Sequence, residues 1–306
     1  MTRRGWLLFG VMCVIWGIPY LLIKVAVRHL APADLVFGRT AIGTVLLLPI
    51  ALGRGQIRPL LAKWRPLFLY SLVEIAIAWL LLSDAETHIS SSLSGLLVAA
   101  VPLIGIVIVR VSGTPDRLTR TRLLGLLMGL AGVGAVLGFD LGHITVISML
   151  EMAVVVCSYA IGPQILARRL SDLPSLGVVS GSLAICTALY APAALLQRPT
   201  HFPPLPVIGA VIALGVICTA IAFLVYFALI AEVGAVRATV ITYINPAVAV
   251  ALGVVLLHEH FTIGVAFGFA LVLGGSVLAT RPGSATTRGP RVPTAPAGTE
   301  LPVAQA

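Results

Sequence analysis

Residues 245–262 read NPAVAVALGVVLLHEHFT, an apolar run that starts at Asn-Pro and ends in a charged turn, and a glycine-studded stretch follows it. The first half of the chain carries the same pattern over residues 102–138. A shift of 143 residues aligns Asp116 of the earlier stretch with Glu259, and it also aligns glycines with glycines. A repeat of this kind inside an apolar chain is typical of two similar membrane halves that share a central site.

The composition is that of a membrane protein. Apolar residues make up 59% of the chain and charged residues only 10%, compared with about 25% charged residues in soluble domains. Many apolar runs reach the roughly 20 residues that a helix needs to cross a bilayer. The distribution of the formal net charge of +9 indicates the lipid bilayer as a partner and argues against nucleic acid.

Ten apolar segments are predicted to be membrane-spanning helices. They cover residues 6–24, 35–52, 66–83, 91–109, 121–138, 144–166, 176–196, 207–230, 237–257 and 262–280. With the N-terminus placed in the cytoplasm, sixteen of the twenty Lys and Arg residues fall on the cytoplasmic side, as the positive-inside rule requires. Both termini are therefore predicted to be cytoplasmic.

The ten segments divide equally between the two halves of the chain, so the second half is inserted upside down relative to the first. The predicted fold is an all-α membrane protein with ten transmembrane helices arranged as two inverted five-helix repeats. The first repeat covers residues 1–138 and the second covers residues 139–281. Residues 282–306 are rich in Pro, Ala, Gly and Thr, which predicts a disordered cytoplasmic tail.

Many positions in both halves match the pattern of a known transporter family. They are Tyr226 to Ala228, Gly234, Ala235, Ala238, Pro246, Glu259, Thr262, Gly268 and Gly274 to Ser276 in the second half, and Trp16, Gly17, Pro32, Arg39, Pro102, Leu118 and Thr119 in the first. By these residues the chain resembles the EamA-like branch of the drug/metabolite transporter superfamily over about residues 6–280. The resemblance implies a ten-helix carrier that moves small polar or amphipathic metabolites, often outward.

Two features depart from the family pattern. Asp116 stands where the family commonly has glutamate, and Asp84, Glu86 and His88 make the predicted turn between the third and fourth helices more polar than usual. Neither departure conflicts with the fold that the resemblance implies.

Two acids lie inside predicted helices, Glu74 near the middle of the third and Glu151 about a third of the way into the sixth. A charge at the centre of a membrane helix costs about 2.5–3.5 kcal/mol on insertion scales and usually faces the bundle interior. Such a carboxyl either binds a transported proton or makes a structural bond to a neighbouring helix. Glu74 and Glu151 are therefore the candidate proton-coupling residues, with the structural alternative left open.

The first helix carries a polar and aromatic stripe. Trp16, Tyr20 and Lys24 are four residues apart and share one face. Trp16 and Tyr20 are candidate walls of a substrate pocket, and the alternative is that they are ordinary interface aromatics. Lys24 is predicted to extend toward the outer surface. Gly17 and Pro19 predict a bend that exposes backbone groups.

Arg39 lies some five residues into the second helix, where its guanidinium has little access to water. It needs an anionic partner. Asp34 or a glutamate would make a structural ion pair, whereas a substrate would make Arg39 part of a pocket or gate. Arg39 is included among the candidate substrate-binding residues.

The remaining candidate substrate-binding residues are polar side chains on the later helices. They are Ser94 on the fourth, Ser158 on the sixth, Tyr226 on the eighth, and Tyr243 and Asn245 on the ninth. Pro246 removes an internal hydrogen bond and frees the carbonyl of Thr242, so the ninth helix either binds substrate there or is kinked only for packing. The serines have the alternative role of letting helices approach closely.

These residues favour a secondary transporter of a small organic metabolite or drug in the plasma (inner) membrane, and export is the favoured direction. His258 and His260 are two residues apart and point to different helix faces, so no metal site is predicted. No phosphate-binding GxxxxGK[ST] stretch occurs, and we expect no cofactor. A membrane-embedded enzyme or a channel is the alternative, and a homodimer remains open.

Overall fold

The computed structural model describes residues 2–111, 119–139, 145–196, 202–234, 238, 240–260 and 262–280. Within these ranges the regular structure is helical, without a β-strand. The helices are α1 (Arg3–Ile15), α2 (Pro19–Ala26), α3 (Pro32–Gly53), α4 (Arg58–Ala62), α5 (Trp64–Tyr70), α6 (Ala78–His88), α7 (Ser91–Val98), α8 (Val101–Val111), α9 (Arg120–Phe139), α10 (Val146–Arg169), α11 (Ser175–Leu196), α12 (Leu205–Gly215), α13 (Ala222–Val233), α14 (Ile241–Leu257) and α15 (Ile263–Thr280). Asp116 and the predicted tail, residues 282–306, lie outside the described residues.

Seven helical segments are long and apolar enough to cross a membrane, and α14 and α15 are shorter apolar helices. Helix occurs in each of the ten predicted segments, over the residues of those segments that the structure describes. Four of the long segments consist of successive pieces. In two of them α5 leads through a π-helical turn into α6 and α12 into α13, and in the others α1 is followed by α2 and α7 by α8.

The predicted bend in the first segment is confirmed, since α1 ends at Ile15 and α2 begins at Pro19. Proline lacks the N–H that would continue the helix. A side chain at Gly17 would collide with Val248 of α14, so glycine lets the bend pack against that helix. The boundary predicted at residue 83 is wrong, because the third segment continues to His88.

Two π-helical turns interrupt the long helices, at Ser71–Ile77 between α5 and α6 and at Val216–Ile221 between α12 and α13. A shift of 144 residues maps the first turn almost onto the second. Such turns are rare and are frequently found at functional sites. At this shift Glu74 corresponds to Cys218, which directly precedes Thr219 in the second turn.

The helix pairs also correspond between the halves. The main contacts join α3 to α11, α7 to α14 and α9 to α15, each linking one helix to its counterpart five predicted spans later. Two further helix contacts correspond to each other. The packing of α1–α2 on α12–α13 is the counterpart of the packing of α6 on α10.

Helices α9 and α15 approach each other through glycines. Added side chains at Gly125 and Gly132 would meet the backbone carbonyls of Gly275 and Gly268, respectively. There is no hydrophobic driving force between helices in lipid. Close packing over small residues stabilises their association instead. The glycine-rich segments of the two halves therefore form one interface.

The turn between α14 and α15 anchors the start of α7. Glu259 accepts hydrogen bonds from the backbone N–H groups of Ser91 (2.8 Å) and Ser92 (2.9 Å). It also accepts from both serine hydroxyls, at 2.9 and 2.5 Å. Burial raises the pKa of Glu259, but the four donors outweigh it and hold the pKa below its ordinary 4.5. An ionised carboxylate at a helix N-terminus is stabilising.

We expect Glu259→Gln to destabilise the protein by about 1–3 kcal/mol at neutral pH, because the amide nitrogen cannot accept the N–H donors that a carboxylate accepts. Since the folded pKa is depressed, the stabilisation is full above about pH 4.5 and is lost as the pH falls through the folded pKa. Thermal unfolding in detergent across this range is the measurement, and the gap between parent and variant should close in acid.

Glu232→Gln is the matched control, because Glu232 pairs with Thr2 and Arg4 at a more accessible helix end. Surface pairs contribute about 0–1 kcal/mol. A Glu259→Gln variant that unfolds no earlier than Glu232→Gln at neutral pH would contradict this account of the turn.

Candidate functional site

Arg39 of α3 is 7% exposed and lies at the centre of the helix bundle. Its Nε donates to the Thr219 hydroxyl at 2.9 Å, and its Cζ stands 3.5 Å above the centroid of the Trp79 ring. The Thr219 hydroxyl donates in turn to the Leu214 carbonyl at 2.8 Å. The side chain of Arg39 is therefore fixed in direction by one hydrogen bond and one aromatic face.

The ion pair predicted as one alternative for Arg39 is not formed. Among the described residues, neither Asp34 nor a glutamate lies within the 4 Å of Arg39 that an ion pair requires. The groups near its charge are Cys218, Tyr159 and Tyr20. We call Tyr20, Arg39, Trp79, Tyr159 and Thr219 the Arg39 cluster.

Glu74 lies in the first π-helical turn and packs directly against α10. A side chain added at Gly162 would overlap the Glu74 carboxyl, so the glycine provides the space that the acid occupies. Its Oε2 is inaccessible and has no hydrogen-bond partner in the part of the chain that the structure describes. Tyr159 and Tyr226 are close enough to sense its charge.

We expect Gly162→Ala to push Glu74 out of its position and to lower transport, at a cost of about 1–3 kcal/mol in stability. Adding Glu74→Ala should restore stability by removing the colliding carboxyl. Thermal unfolding of the two variants, with transport measured in parallel, checks this. Equal stability of Gly162→Ala and the parent would show that Glu74 does not occupy this space.

Glu86 is a buried acid that the sequence reading left in a loop. It is completely buried, and neither carboxyl oxygen has a hydrogen bond within the described ranges. The hydroxyl of Ser94 is near it, but that hydroxyl bonds to the Ser90 carbonyl at 3.2 Å. Tyr20 is close enough to this acid and to Arg39 to sense both charges.

Lys24 is partly exposed, and its ammonium lies at the C-terminal end of α6. Its Nζ donates to the carbonyls of Glu86 (2.6 Å) and Ile89 (2.8 Å). Because the last carbonyls of a helix have no partner within it, these bonds cap the C-terminus of α6. The extension of Lys24 toward the outer surface stays a prediction, and its two backbone partners are set by the packing of α6 beside α2.

Glu151 lies on α10 next to Asp84 of α6, close enough for the two carboxyls to interact. Its Oε2 makes no hydrogen bond to a described residue. Glu151 and Asp84 thus form a carboxyl pair between α10 and α6. It is a second candidate for proton binding, separate from Glu74.

Trp16 and Tyr226 belong to one aromatic cluster between the α1–α2 bend and α13. Their ring centroids are 4.7 Å apart, and Trp16 also meets Phe223 edge-on at 6.1 Å. Tyr226 links this cluster to Glu74 of the other half. Trp16 contacts Tyr226, and Tyr226 is close enough to Glu74 to sense its charge. A role of these residues in substrate binding stays a prediction.

Two of the predicted residues on α14 make hydrogen-bond contacts inside the bundle. The amide nitrogen of Asn245 donates to the backbone carbonyls of Cys13 (3.1 Å) and Ile241 (3.0 Å). The hydroxyl of Tyr243 points toward the Ser276 carbonyl of α15, at 3.5 Å. Pro246 lies within α14, which continues through it. Ser158 is buried on α10, and Ser94 is fully buried on α7 beside Glu86.

The residues missed from the sequence are Trp79, Tyr159 and Glu86. Glu86 was missed because the polar run Asp84-Ala-Glu-Thr-His was interpreted as a loop, although it ends a helix. Trp79 is fourteen residues beyond Arg65 within one apolar segment, and no local pattern links it to Arg39. A search for aromatic partners of the buried arginine is the signal that could have found it.

Comparison with known proteins decides the family. The EamA-like transporter family matches twice, over residues 3–138 and 146–281. The chain belongs to the EamA-like transporter family. It is accordingly a multi-pass membrane protein and a transporter, as the sequence resemblance implied.

Similar proteins agree with this membership. An uncharacterized transporter of Archaeoglobus fulgidus is 24% identical over 281 residues, covering 91% of this chain and 99% of the relative. The uncharacterized transporter YvbV of Bacillus subtilis strain 168 is 25% identical over 278 residues, covering 89% and 90%. A solved crystal structure, 24% identical, superposes with a TM-score of 0.63 over 92% of this chain and 97% of the other, and it shows the same fold.

Proposed function

We propose that this EamA-like transporter is a secondary carrier that exports a small organic metabolite or drug bearing an anionic group across the plasma membrane. The anionic group binds the guanidinium of Arg39, between the Trp79 ring and the Thr219 hydroxyl. Trp16, Tyr20, Ser94, Ser158 and Tyr226 contribute the remaining surface of the substrate site. Tyr243 and Asn245 act through the packing of α14.

The observation that carries this proposal is the separation of opposite charges in the bundle interior. Arg39 is buried, yet no described carboxylate lies within 4 Å of it. Glu86 is buried, and neither of its carboxyl oxygens has a described partner, while Glu74 is partly buried and its inaccessible Oε2 has no described partner. A purely structural role would pair these charges, because an unpaired charge in a membrane interior is expensive. Their separation is typical of a site that completes its pairing with a substrate and a proton.

Glu74 is the proposed proton-coupling residue, and Glu151 with Asp84 is the second candidate. Glu74 lies between the two halves, against Gly162 and near Tyr226. A carboxyl that alternates between a proton and an ionised state at such a point links proton binding to the movement of one half against the other.

The proposed architecture has ten spans in two inverted repeats, residues 1–138 and 139–281, and works by alternating access. It is supported by the double family match, by the corresponding π-helical turns and by the corresponding helix pairs. The strong bias of Lys and Arg supports cytoplasmic termini.

Thermal unfolding in detergent with a panel of small carboxylates and phosphates tests the anion site. Each anion is paired with its neutral amide or methyl ester. A ligand that binds only the folded state raises the unfolding temperature. We expect at least one anion to stabilise the parent but not an Arg39→Gln variant, and its neutral counterpart to have no effect. Equal stabilisation by the neutral counterparts would show that binding does not require a negative charge on the ligand.

A further inference from the structure

A cavity of about 410 Å³ opens at one end of the bundle, between α5, α8 and α10. It lies where α5 begins and where α8 and α10 end. Its walls include Leu69, Ile161 and Ile165, and it also contains Arg65, Arg168 and Arg169. We call this cavity the basic pocket.

The basic pocket opens toward the bilayer and away from the Arg39 cluster. Ile161 and Ile165 continue the face of α10 that carries the exposed side chains of Leu150 and Val154, at spacings of four and seven residues. Tyr159 is on the opposite face of the same helix, near Arg39. The pocket is therefore separate from the proposed substrate site.

The described lining of the basic pocket contains three arginines and no acid. The acid that follows α10, Asp172, is held by Lys63 at 2.5 Å. This lysine also donates to the Arg169 carbonyl at 3.2 Å and so ties the start of α5 to the end of α10. The bond fixes two sides of the pocket relative to each other.

The surroundings place the basic pocket at the level of lipid headgroups. Trp64, beside Arg65, is 58% exposed, and the Arg65 guanidinium stands 5.5 Å from its ring centroid. Exposed tryptophan and arginine at the end of a membrane helix mark the membrane–water interface. Arginine binds phosphate oxygens through two parallel N–H bonds, whereas the apolar walls match acyl chains.

We propose that the basic pocket binds the headgroup of an anionic phospholipid. The phosphate contacts Arg65, Arg168 and Arg169, and the acyl chains run along Leu69, Ile161 and Ile165 into the bilayer. Basic pockets between membrane helices are suited to such lipids, and each arginine near the surface adds to the attraction. A soluble phosphate would use the arginines but would leave the apolar walls uncovered.

The test is thermal unfolding of the full chain in dodecyl maltoside micelles, titrated with phosphatidylglycerol or with phosphatidylcholine. We expect phosphatidylglycerol to stabilise the parent at a much lower mole fraction than phosphatidylcholine. Changing Arg65, Arg168 and Arg169 together to glutamine should weaken its binding roughly 100-fold. Changing Arg3, Arg54 and Arg58 to glutamine removes the same charge from exposed positions and should leave the affinity within about twofold of the parent.

Ile165→Trp fills the basic pocket without changing its charge, and it keeps the test informative if the triple variant folds poorly. We expect it to weaken phosphatidylglycerol binding about tenfold, since the bulky ring displaces an acyl chain. Inorganic phosphate and glycerophosphoglycerol distinguish the sources of the anion. Stabilisation by either that matches phosphatidylglycerol would overturn the lipid assignment, and so would parent-like lipid binding by Ile165→Trp.

Discussion

Arg39→Gln is expected to lower the specificity constant for transport by at least about 100-fold while the protein remains folded. Removing one partner of a buried, charged contact costs about 2–5 kcal/mol. Most of this cost should be seen as weaker binding of the substrate. Arg39→Lys should recover only part of the loss, because an ammonium cannot offer the planar guanidinium face that lies on Trp79. Uptake or efflux of the stabilising anion in proteoliposomes is the measurement.

Arg28→Gln is the matched control, because Arg28 is exposed beyond the end of α2. It should transport within about twofold of the parent, since exposed charges separated from a site are screened. An Arg39→Gln variant that elutes as a single species and transports like Arg28→Gln would show that Arg39 has a structural role only.

Glu74→Gln is expected to keep the fold and to remove the response of transport to an imposed proton gradient. Glutamine matches the shape of the neutral acid but cannot release a proton. The parent should accelerate in a proton gradient, whereas the variant should run at one rate with or without it. Transport in proteoliposomes with and without an imposed pH difference is the measurement.

Glu151→Gln and Glu86→Gln locate the coupling if Glu74 is not responsible. A structural Glu74, bonded in its neutral form, would tolerate glutamine with an unchanged proton response. If Glu74→Gln accelerates in the gradient as the parent does, Glu74 is not the coupling residue. A loss of the response in Glu151→Gln would then assign the coupling to the pair with Asp84.

Local sequence patterns predicted the helices well because membrane helices are long, apolar and self-contained in their backbone hydrogen bonds. The bend at Gly17–Pro19 and the turn at His258 follow from one or two residues each. The end of the third segment did not follow, because Asp84, Glu86 and His88 are polar in sequence but helical in the bundle. There the packing of α6 on α10 and its cap by Lys24 override the local signal.

The candidate site was predictable as a set of side chains but not as a set of contacts. The stripe of Trp16 and Tyr20 and the buried position of Glu74 could be inferred from helical spacing. The partners of Arg39 could not, because Trp79 and Thr219 are 40 and 180 residues away in sequence. Helical spacing determines the face of the helix on which a residue lies, while the packing of the neighbouring helix determines which side chain it contacts.

The central claim is that this chain is a carrier that binds an anion between its two halves, and counterflow tests it most directly. Proteoliposomes are loaded with the unlabelled anion that stabilises the parent, and uptake of the labelled anion is followed. The account predicts saturable uptake with a transient overshoot, which is lost in Arg39→Gln. Flux that neither saturates nor overshoots would indicate a channel. Label recovered in a chemically altered form would indicate an enzyme. Either result would contradict the assignment of this chain as a carrier.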